Sequence, residues 1–212
     1  MILTRQSKTL LGASATLAFL GLFSRVLGVL RDRILASRFG ASDLLDVYYV
    51  SFNIPDFVFN LLVVGAVASA FIPVFIEYQS KKNGGEWNLA NNFLNILVAI
   101  MAITAGVIFM FTPWLINLIA PGFSPEKKYL AVLFTRVMLF SPIIFSVSVV
   151  IGSILQVFHR FLAYALAPIM YNLGIIFGAI FLVPKFGPLG LAEGVVLGAL
   201  FHLLIQLPAL RG

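Results

Sequence analysis

Long apolar segments, separated by short polar or Pro/Gly clusters, run along almost the whole chain and constrain its fold more than any other feature. A helix needs about 20 predominantly apolar residues to cross the hydrocarbon core of a membrane. Divided at the polar clusters, the sequence predicts six such spans, at about residues 10–36, 46–78, 89–120, 129–158, 161–183 and 189–210. The predicted fold class is therefore an all-α polytopic membrane protein, a bundle of six transmembrane helices.

The composition excludes most other classes of protein. Of the 212 residues, 61% are hydrophobic and only 10% are charged. Soluble domains carry about 25% charged residues, and a chain of this size has too little interior to bury so much apolar surface. There is no cysteine. Because no metal-ligand cluster, nucleophile–base pair, nucleotide-binding loop or nucleic-acid motif is visible, we expect no catalytic residues, no metal, no cofactor in this chain and no nucleic-acid partner.

The N-terminal segment has some features of a secretory signal peptide. Arg5 and Lys8 precede an apolar stretch that begins at Leu10. That stretch continues past Leu20 and contains Arg25, so we predict a retained first span. Lysines and arginines are divided evenly between the two predicted sides of the membrane. The positive-inside rule therefore places the N-terminus in the cytoplasm only if arginines after the first span lie in a cavity.

The first span has a polar face. At 100° per residue, six residues fall within an arc of roughly 120°: Gly21, Ser24, Arg25, Gly28, Arg31 and Asp32. An arginine inside a span costs about 2.5–3.5 kcal/mol on insertion scales, so it normally faces a bundle interior or a water-filled cavity. We expect Arg25 and Arg31 to line such a cavity. The alternative for Arg25 is that it reaches the membrane interface or pairs with Asp32.

A second polar stripe lies on the second span, where the helical period aligns Asp46, Tyr49, Asn53, Asp56 and Asn60. Asp56 has an alternative role as the cap of a helix that restarts after Pro55. Together the two stripes predict a cavity containing two guanidinium groups and at least one carboxylate. Because guanidinium forms bidentate, charge-assisted bonds with phosphate, the cavity favours an anionic ligand, for which a lipid headgroup is a natural candidate.

Two weaker patterns complete the reading of the apolar spans. Several spans contain a proline, which membranes tolerate in helices and which we expect to bend them: Pro55, Pro73, Pro113, Pro142 and Pro168. On the last span His202 and Gln206 lie one turn apart, and we expect hydrogen bonds there that connect helices.

Short motifs with a characteristic order occur along nearly the whole chain. They are FSRVLGVLRD at 23–32, FGA at 39–41, Asp46, FNIP at 52–55, GA at 65–66, SAFIPVF at 69–75, APGF at 120–123, GSILQ at 152–156, AP at 167–168 with Asn172, and QLP at 206–208. These motifs resemble the opening of the MurJ (MviN) family, the lipid II flippases of the MOP exporter superfamily.

The resemblance implies a bacterial inner-membrane flippase that moves the undecaprenyl-pyrophosphate-linked peptidoglycan precursor outward by alternating access. It also implies that Ser24, Arg25, Arg31 and Asp46 bind the substrate in a central cavity. Family proteins have two lobes, so residues 1–212 are expected to form a single N-terminal lobe whose partners are the lipid-linked precursor, membrane lipids and its own absent C-terminal lobe. Coupling to an ion or to the membrane potential would belong to the full protein.

The chain also departs from the family pattern. Family members commonly have two basic residues where this chain has Phe59 and Asn60, and an acidic residue where it has Val64. These departures leave two alternatives open. One is an exporter of another polyprenyl-linked oligosaccharide, and the other is a membrane homologue that transports nothing.

Overall fold

A computed structural model describes residues 10–81 and 85–210, and within those ranges it contains helices and no strand. The helices are α1 (Leu10–Phe39), α2 (Asp43–Ser80), α3 (Gly85–Ile119), α4 (Pro125–Val157), α5 (161–186) and α6 (Gly190–Leu204), followed by a 3-10 turn at Leu207–Leu210. The predicted all-α fold is confirmed. The flanking Arg5 and Lys8 lie outside the described residues.

Length and hydropathy identify this chain as a multi-pass membrane protein. Five helical stretches in the described residues are long and apolar enough to cross a membrane, and the last of them, Phe161–Leu210, contains both α5 and α6. Gly187, with φ of 67°, separates those two helices. That backbone conformation is strained for residues with a side chain, so glycine permits the tight reversal between two antiparallel helices.

Proline and serine set several other features of the helices. Ser124 caps the start of α4, because its side chain accepts a hydrogen bond from the Lys127 amide at 3.3 Å. Pro55, Pro113 and Pro168 lie inside helices that continue past them. Two π-helical segments, Val67–Phe71 and Gly178–Leu182, lie just before Pro73 and Pro184. Since proline has no N–H and its ring displaces the carbonyl four residues earlier, a wider turn accommodates it.

Packing places α4 at the centre of the bundle, where it contacts α2, α3, α5 and α6. One buried apolar cluster forms around Tyr48, Phe134 and Leu191, and a second forms around Phe71, Met101 and Ile154. The α5–α6 hairpin packs through small residues, and α1 lies mainly against α5. The most exposed surface of α1 is apolar, as expected for a helix that faces lipid or another part of a larger bundle.

Candidate functional site

The larger of two neighbouring cavities, with a volume of about 580 Å³, opens between α1, α2, α4, α5 and α6. Its wall is mainly aromatic and contains a few polar or charged groups: Arg31, Tyr48, Tyr49, Phe52, Asp56, Phe59, Asn60, Ser141, Pro142, Phe145, Val149, Tyr171 and His202. A largely apolar, aromatic wall with a few convergent polar groups is typical of ligand-binding sites. This cavity is therefore the candidate site.

The cationic side of the cavity is formed by Arg31. Its Nε and Nη2 donate to Asp32 Oδ1 at 2.9 and 2.8 Å, and its Nη1 donates to Asn172 Oδ1 at 3.0 Å. A guanidinium group has five N–H donors, so these three bonds leave others available to a ligand. Asn172 fixes the position of Arg31 from α5, while Asp32 offsets its charge.

The acidic side of the cavity lies on α2. Asp56 and Asn60 are one turn apart, and both line the cavity. Asn60 Nδ2 donates to the Asp56 backbone carbonyl at 2.8 Å, which leaves the Asn60 carbonyl oxygen free to accept. Within residues 10–81 and 85–210, no lysine or arginine forms an ion pair with the Asp56 carboxylate.

A second cavity of about 370 Å³ shares Val149 and His202 with the first. At this boundary Gln206 Nε2 donates to Ser148 Oγ at 2.7 Å, and Ser148 Oγ lies 2.6 Å from His202 Nδ1. Gln206 Nε2 also lies 3.3 Å from His202 Nδ1. The predicted hydrogen bonding around His202 and Gln206 is confirmed, and the helix that it connects to α6 is α4.

The structure brings four of the predicted site residues to these cavities. Arg31, Asp56 and Asn60 line the larger cavity, and Gly21 lines the smaller one. Ser24 and Gly28 face α5 beside the cavities. The Ser24 carbonyl accepts a hydrogen bond from Asn172 Nδ2 at 3.5 Å, and a Cβ at Gly28 would lie 3.9 Å from Asn172 Oδ1. Ser24 therefore contributes its backbone carbonyl to this contact between α1 and α5.

The remaining four predicted residues, Arg25, Asp32, Asp46 and Asn53, are exposed and do not line either cavity. Asp32 contacts Arg31, so the alternative pairing of Asp32 with Arg25 is not observed. Asp46 lies 3.3 Å from Lys127 Nζ, which also lies 2.5 Å from Asp43. This ion-pair cluster joins α2 to the start of α4.

Helical geometry explains this division of the polar stripes. The α2 residues that line the large cavity, from Tyr48 to Asn60, lie roughly 40–160° around the helix from Asp46. Asp46 and Asn53 therefore lie at the edge of the lining face. Asp56 also lies within the unbroken α-helix Asp43–Phe59. The alternative that Asp56 caps a helix restarting after Pro55 is wrong, because the helix has no new N-terminus there.

Several residues of the site carry little signal in the sequence. Tyr48, Phe145, Ser148 and Tyr171 lie in apolar segments, where aromatic and hydroxyl side chains are common. Asn172 gives a stronger signal, as an amide inside the fifth span whose side chain needs hydrogen-bond partners. In the described part of the chain, no group of three or more His, Asp or Glu residues is arranged to hold a metal ion.

The sequence and the helical fold match those of known membrane proteins. A family model described as "Lipid II flippase MurJ" matches residues 35–212. The chain belongs to the MurJ lipid II flippase family. It is 36% identical over 205 residues to the probable lipid II flippase MurJ of Buchnera aphidicola subsp. Acyrthosiphon pisum, covering 92% of this chain and 39% of that relative.

Two further MurJ relatives and one solved structure support this family membership. The chain is 35% identical to the probable lipid II flippase MurJ of Thermotoga maritima, with 91% and 40% coverage. It is 30% identical to lipid II flippase MurJ of Burkholderia cenocepacia, with 94% and 40% coverage. A structure titled "Lipid II flippase MurJ, inward closed conformation" aligns with a TM-score of 0.73 at 27% identity, covering 92% of this chain and 41% of that one. The chain thus spans about two fifths of the length of these MurJ proteins.

Proposed function

We propose that the protein is a lipid II flippase, which moves the undecaprenyl-pyrophosphate-linked peptidoglycan precursor across the bacterial inner membrane by alternating access. The observation that carries this proposal is Arg31, a guanidinium on the wall of a large cavity within an apolar helical bundle. Guanidinium groups bind phosphate oxygens in a bidentate manner and remain charged at physiological pH. MurJ family membership supplies the class of substrate.

In this proposal residues 1–212 form the N-terminal lobe, and the headgroup binds between this lobe and a second one. Transporters built from repeated halves place the substrate at the interface of the halves and move one half against the other. Arg31 binds the pyrophosphate. Ser24, Arg25 and Asp46 join the site when the second lobe covers the exposed flank of α1 and the start of α2. Asp32 and Asn53 lie on the same flank.

The same proposal sets the orientation and the energetics. With Arg31 assigned to the cavity, the even division of loop charges shifts toward the N-terminal side, so in this proposal the N-terminus lies in the cytoplasm. The protein carries out transport and no covalent chemistry. An ion gradient or the membrane potential would drive it through the rest of the full-length protein.

Complementation of a bacterial strain depleted of its own lipid II flippase tests this function. The full-length gene should restore growth, and Arg31→Ala should abolish the rescue because the phosphate loses its main ligand. Arg25→Ala should weaken the rescue. Arg33→Ala is the matched control, because Arg33 is exposed on the apolar side of α1 and should rescue fully.

Two results would contradict the proposal, and they differ in meaning. Full rescue by Arg31→Ala would remove Arg31 from the transport site. Failure of the wild-type gene to rescue, together with restored export of another polyprenyl-linked oligosaccharide in a suitable mutant strain, would change the substrate class and keep the transport mechanism.

A further inference from the structure

The charges on the cavity wall are balanced at one end and unbalanced at the other. At the α1 end Arg31 has an acidic neighbour, Asp32, 2.8 Å away. At the α2 end Asp56 has no cationic partner among residues 10–81 and 85–210. Arg31 and Asp56 both line the cavity, but Arg31 is already paired with Asp32 beside the wall, so the Asp56 carboxylate has no counter-charge among the side chains described.

Other groups near Asp56 do not supply that charge. His202 lines the same cavity, but its Nδ1 is held by Ser148 Oγ at 2.6 Å. Asn60 commits its amide nitrogen to the Asp56 backbone carbonyl and presents an acceptor oxygen. Tyr171 contributes a hydroxyl group and an aromatic ring. The surroundings of Asp56 are thus rich in acceptors and aromatic faces.

This combination suits a positively charged ligand group. A carboxylate within a membrane span is costly unless it is paired, so such residues normally have a defined partner. Aromatic faces also attract cations, and Phe145 lies next to Phe59 and Tyr171, with ring centroids 5.6 and 5.1 Å apart. A carboxylate, an amide oxygen and aromatic rings together favour a small cation.

We propose that Asp56 binds a monovalent cationic group, the side-chain ammonium of the peptide in the lipid-linked headgroup, while Arg31 binds the phosphate in the same cavity. This inference rests on the proposed function. The same chemistry has a second source, a free sodium ion. If the cation is the ammonium, Asp56 selects among lipid-linked ligands by their charge, and Arg31 recognises the phosphate that all of them share.

The experiment measures dissociation constants of the purified full-length protein in detergent for three ligands. They are the precursor with a free side-chain amine, the same precursor with that amine acetylated, and undecaprenyl pyrophosphate. Asp56→Asn removes the charge and keeps the shape. Asp43→Asn is the matched control, because Asp43 is an exposed aspartate on the same helix that does not line the cavity.

The wild type and Asp43→Asn should bind the free amine about tenfold more tightly than the acetylated form, since only the free amine carries a charge that pairs with the Asp56 carboxylate in a partly desolvated site. In Asp56→Asn the ratio should fall to about one. If sodium is the source, acetylation has no effect, but replacing sodium with N-methylglucamine weakens binding to the wild type and not to Asp56→Asn.

The proposal is overturned if neither acetylation nor sodium distinguishes the wild type from Asp56→Asn. Failure of the transport function looks different, because undecaprenyl pyrophosphate would then bind the wild type and Arg31→Ala equally. If the transport function fails in this way, a measurement that needs no lipid-linked ligand still tests Asp56. Methylammonium or sodium should raise the melting temperature of the wild type more than that of Asp56→Asn, and equal shifts for both proteins would also overturn the proposal.

Discussion

The α5–α6 hairpin and the helix α1 differ in how they are attached to the protein. In the hairpin the two backbones touch: a Cβ added at Gly198 would lie 2.6 Å from the Tyr171 carbonyl, and one at Gly194 would lie 2.8 Å from Gly178 Cα. Helix α1 is largely exposed, and a Cβ at Gly21 would meet nothing within 4 Å. Direct backbone contact therefore holds the hairpin, whereas α1 packs on it through side chains such as the buried Leu35, with polar contacts from Arg31 and Ser24.

The α5–α6 hairpin is therefore the scaffold, and α1, which carries Arg25 and Arg31, is a helix attached to it. Small residues let membrane helices approach closely, and such contacts are sensitive to any added volume. Polar contacts depend on particular atoms, and each has a modest net energy. The comparison predicts large losses of stability from substitutions in the hairpin and smaller, more local effects at α1 and at the α4–α6 contact.

The largest effect is expected from Gly174→Ala in the hairpin. Its new Cβ would overlap the Gly198 backbone, so the two helices must separate. Overpacking of this kind costs about 3 kcal/mol, which should appear as a clearly lower melting temperature of the purified protein. Gly21→Ala is the control on α1 and should leave the melting temperature unchanged. Equal effects of the two substitutions would remove the distinction between scaffold and attached helix.

A smaller effect is expected from Asn172→Ala at the contact between α1 and α5. Asn172 accepts from Arg31 at 3.0 Å and donates to the Pro168 carbonyl at 3.0 Å. Its loss should cost about 2 kcal/mol, because a charged donor loses its partner. Hydrogen exchange should then become faster in α1 while the hairpin keeps its protection.

Asn117→Ala is the matched control for Asn172→Ala. Asn117 also donates to the carbonyl of a proline four residues earlier, Pro113, at 3.0 Å, but it is exposed and forms no hydrogen bond to another helix within the described residues. It reproduces the local bond without the bond to α1. Faster exchange in α1 from both variants would show that the Arg31 contact does not position the helix.

The smallest effect is expected from Ser148→Ala between α4 and α6. Ser148 hydroxyl contacts both His202 and Gln206, whereas Ser146 hydroxyl, also buried on α4, donates only to the Ile143 carbonyl of its own helix. Ser148→Ala should cost about 1 kcal/mol in thermal unfolding, and Ser146→Ala should cost less. The reverse order would show that the bonds between α4 and α6 add nothing to stability.

Much of the fold could be predicted because long apolar segments leave few choices in a membrane. A spanning segment must satisfy its own backbone hydrogen bonds, so 20 or so apolar residues predict a helix without knowledge of its neighbours. The break between α5 and α6 was also visible, in the Pro/Gly cluster around Gly187. The three π-helical segments described were not predicted, because helical periodicity does not indicate where a turn widens; two of them lie just before a proline.

The candidate site was only partly predictable from helical periodicity. Periodicity gives the angular position of a residue, and on that basis Arg31, Asp56 and Asn60 were expected at a cavity, where the structure has them. Periodicity does not show how far along the helix the cavity extends, nor which residue of another helix lies beside a given side chain. Asp46 shares a stripe with Asp56 and Asn60, yet it lies three turns away at the start of α2, beside Lys127.

The sequence by itself determined that this protein is a helical membrane protein and which helix faces carry charge, because these follow from local hydrophobicity and periodicity. Only the tertiary structure decided which charges meet. Asn172 holds Arg31 from α5, Asp32 offsets its charge, and Asp56 faces the cavity without a cationic partner among the described residues. Those pairings join positions far apart in the chain, and helix packing alone brings them together.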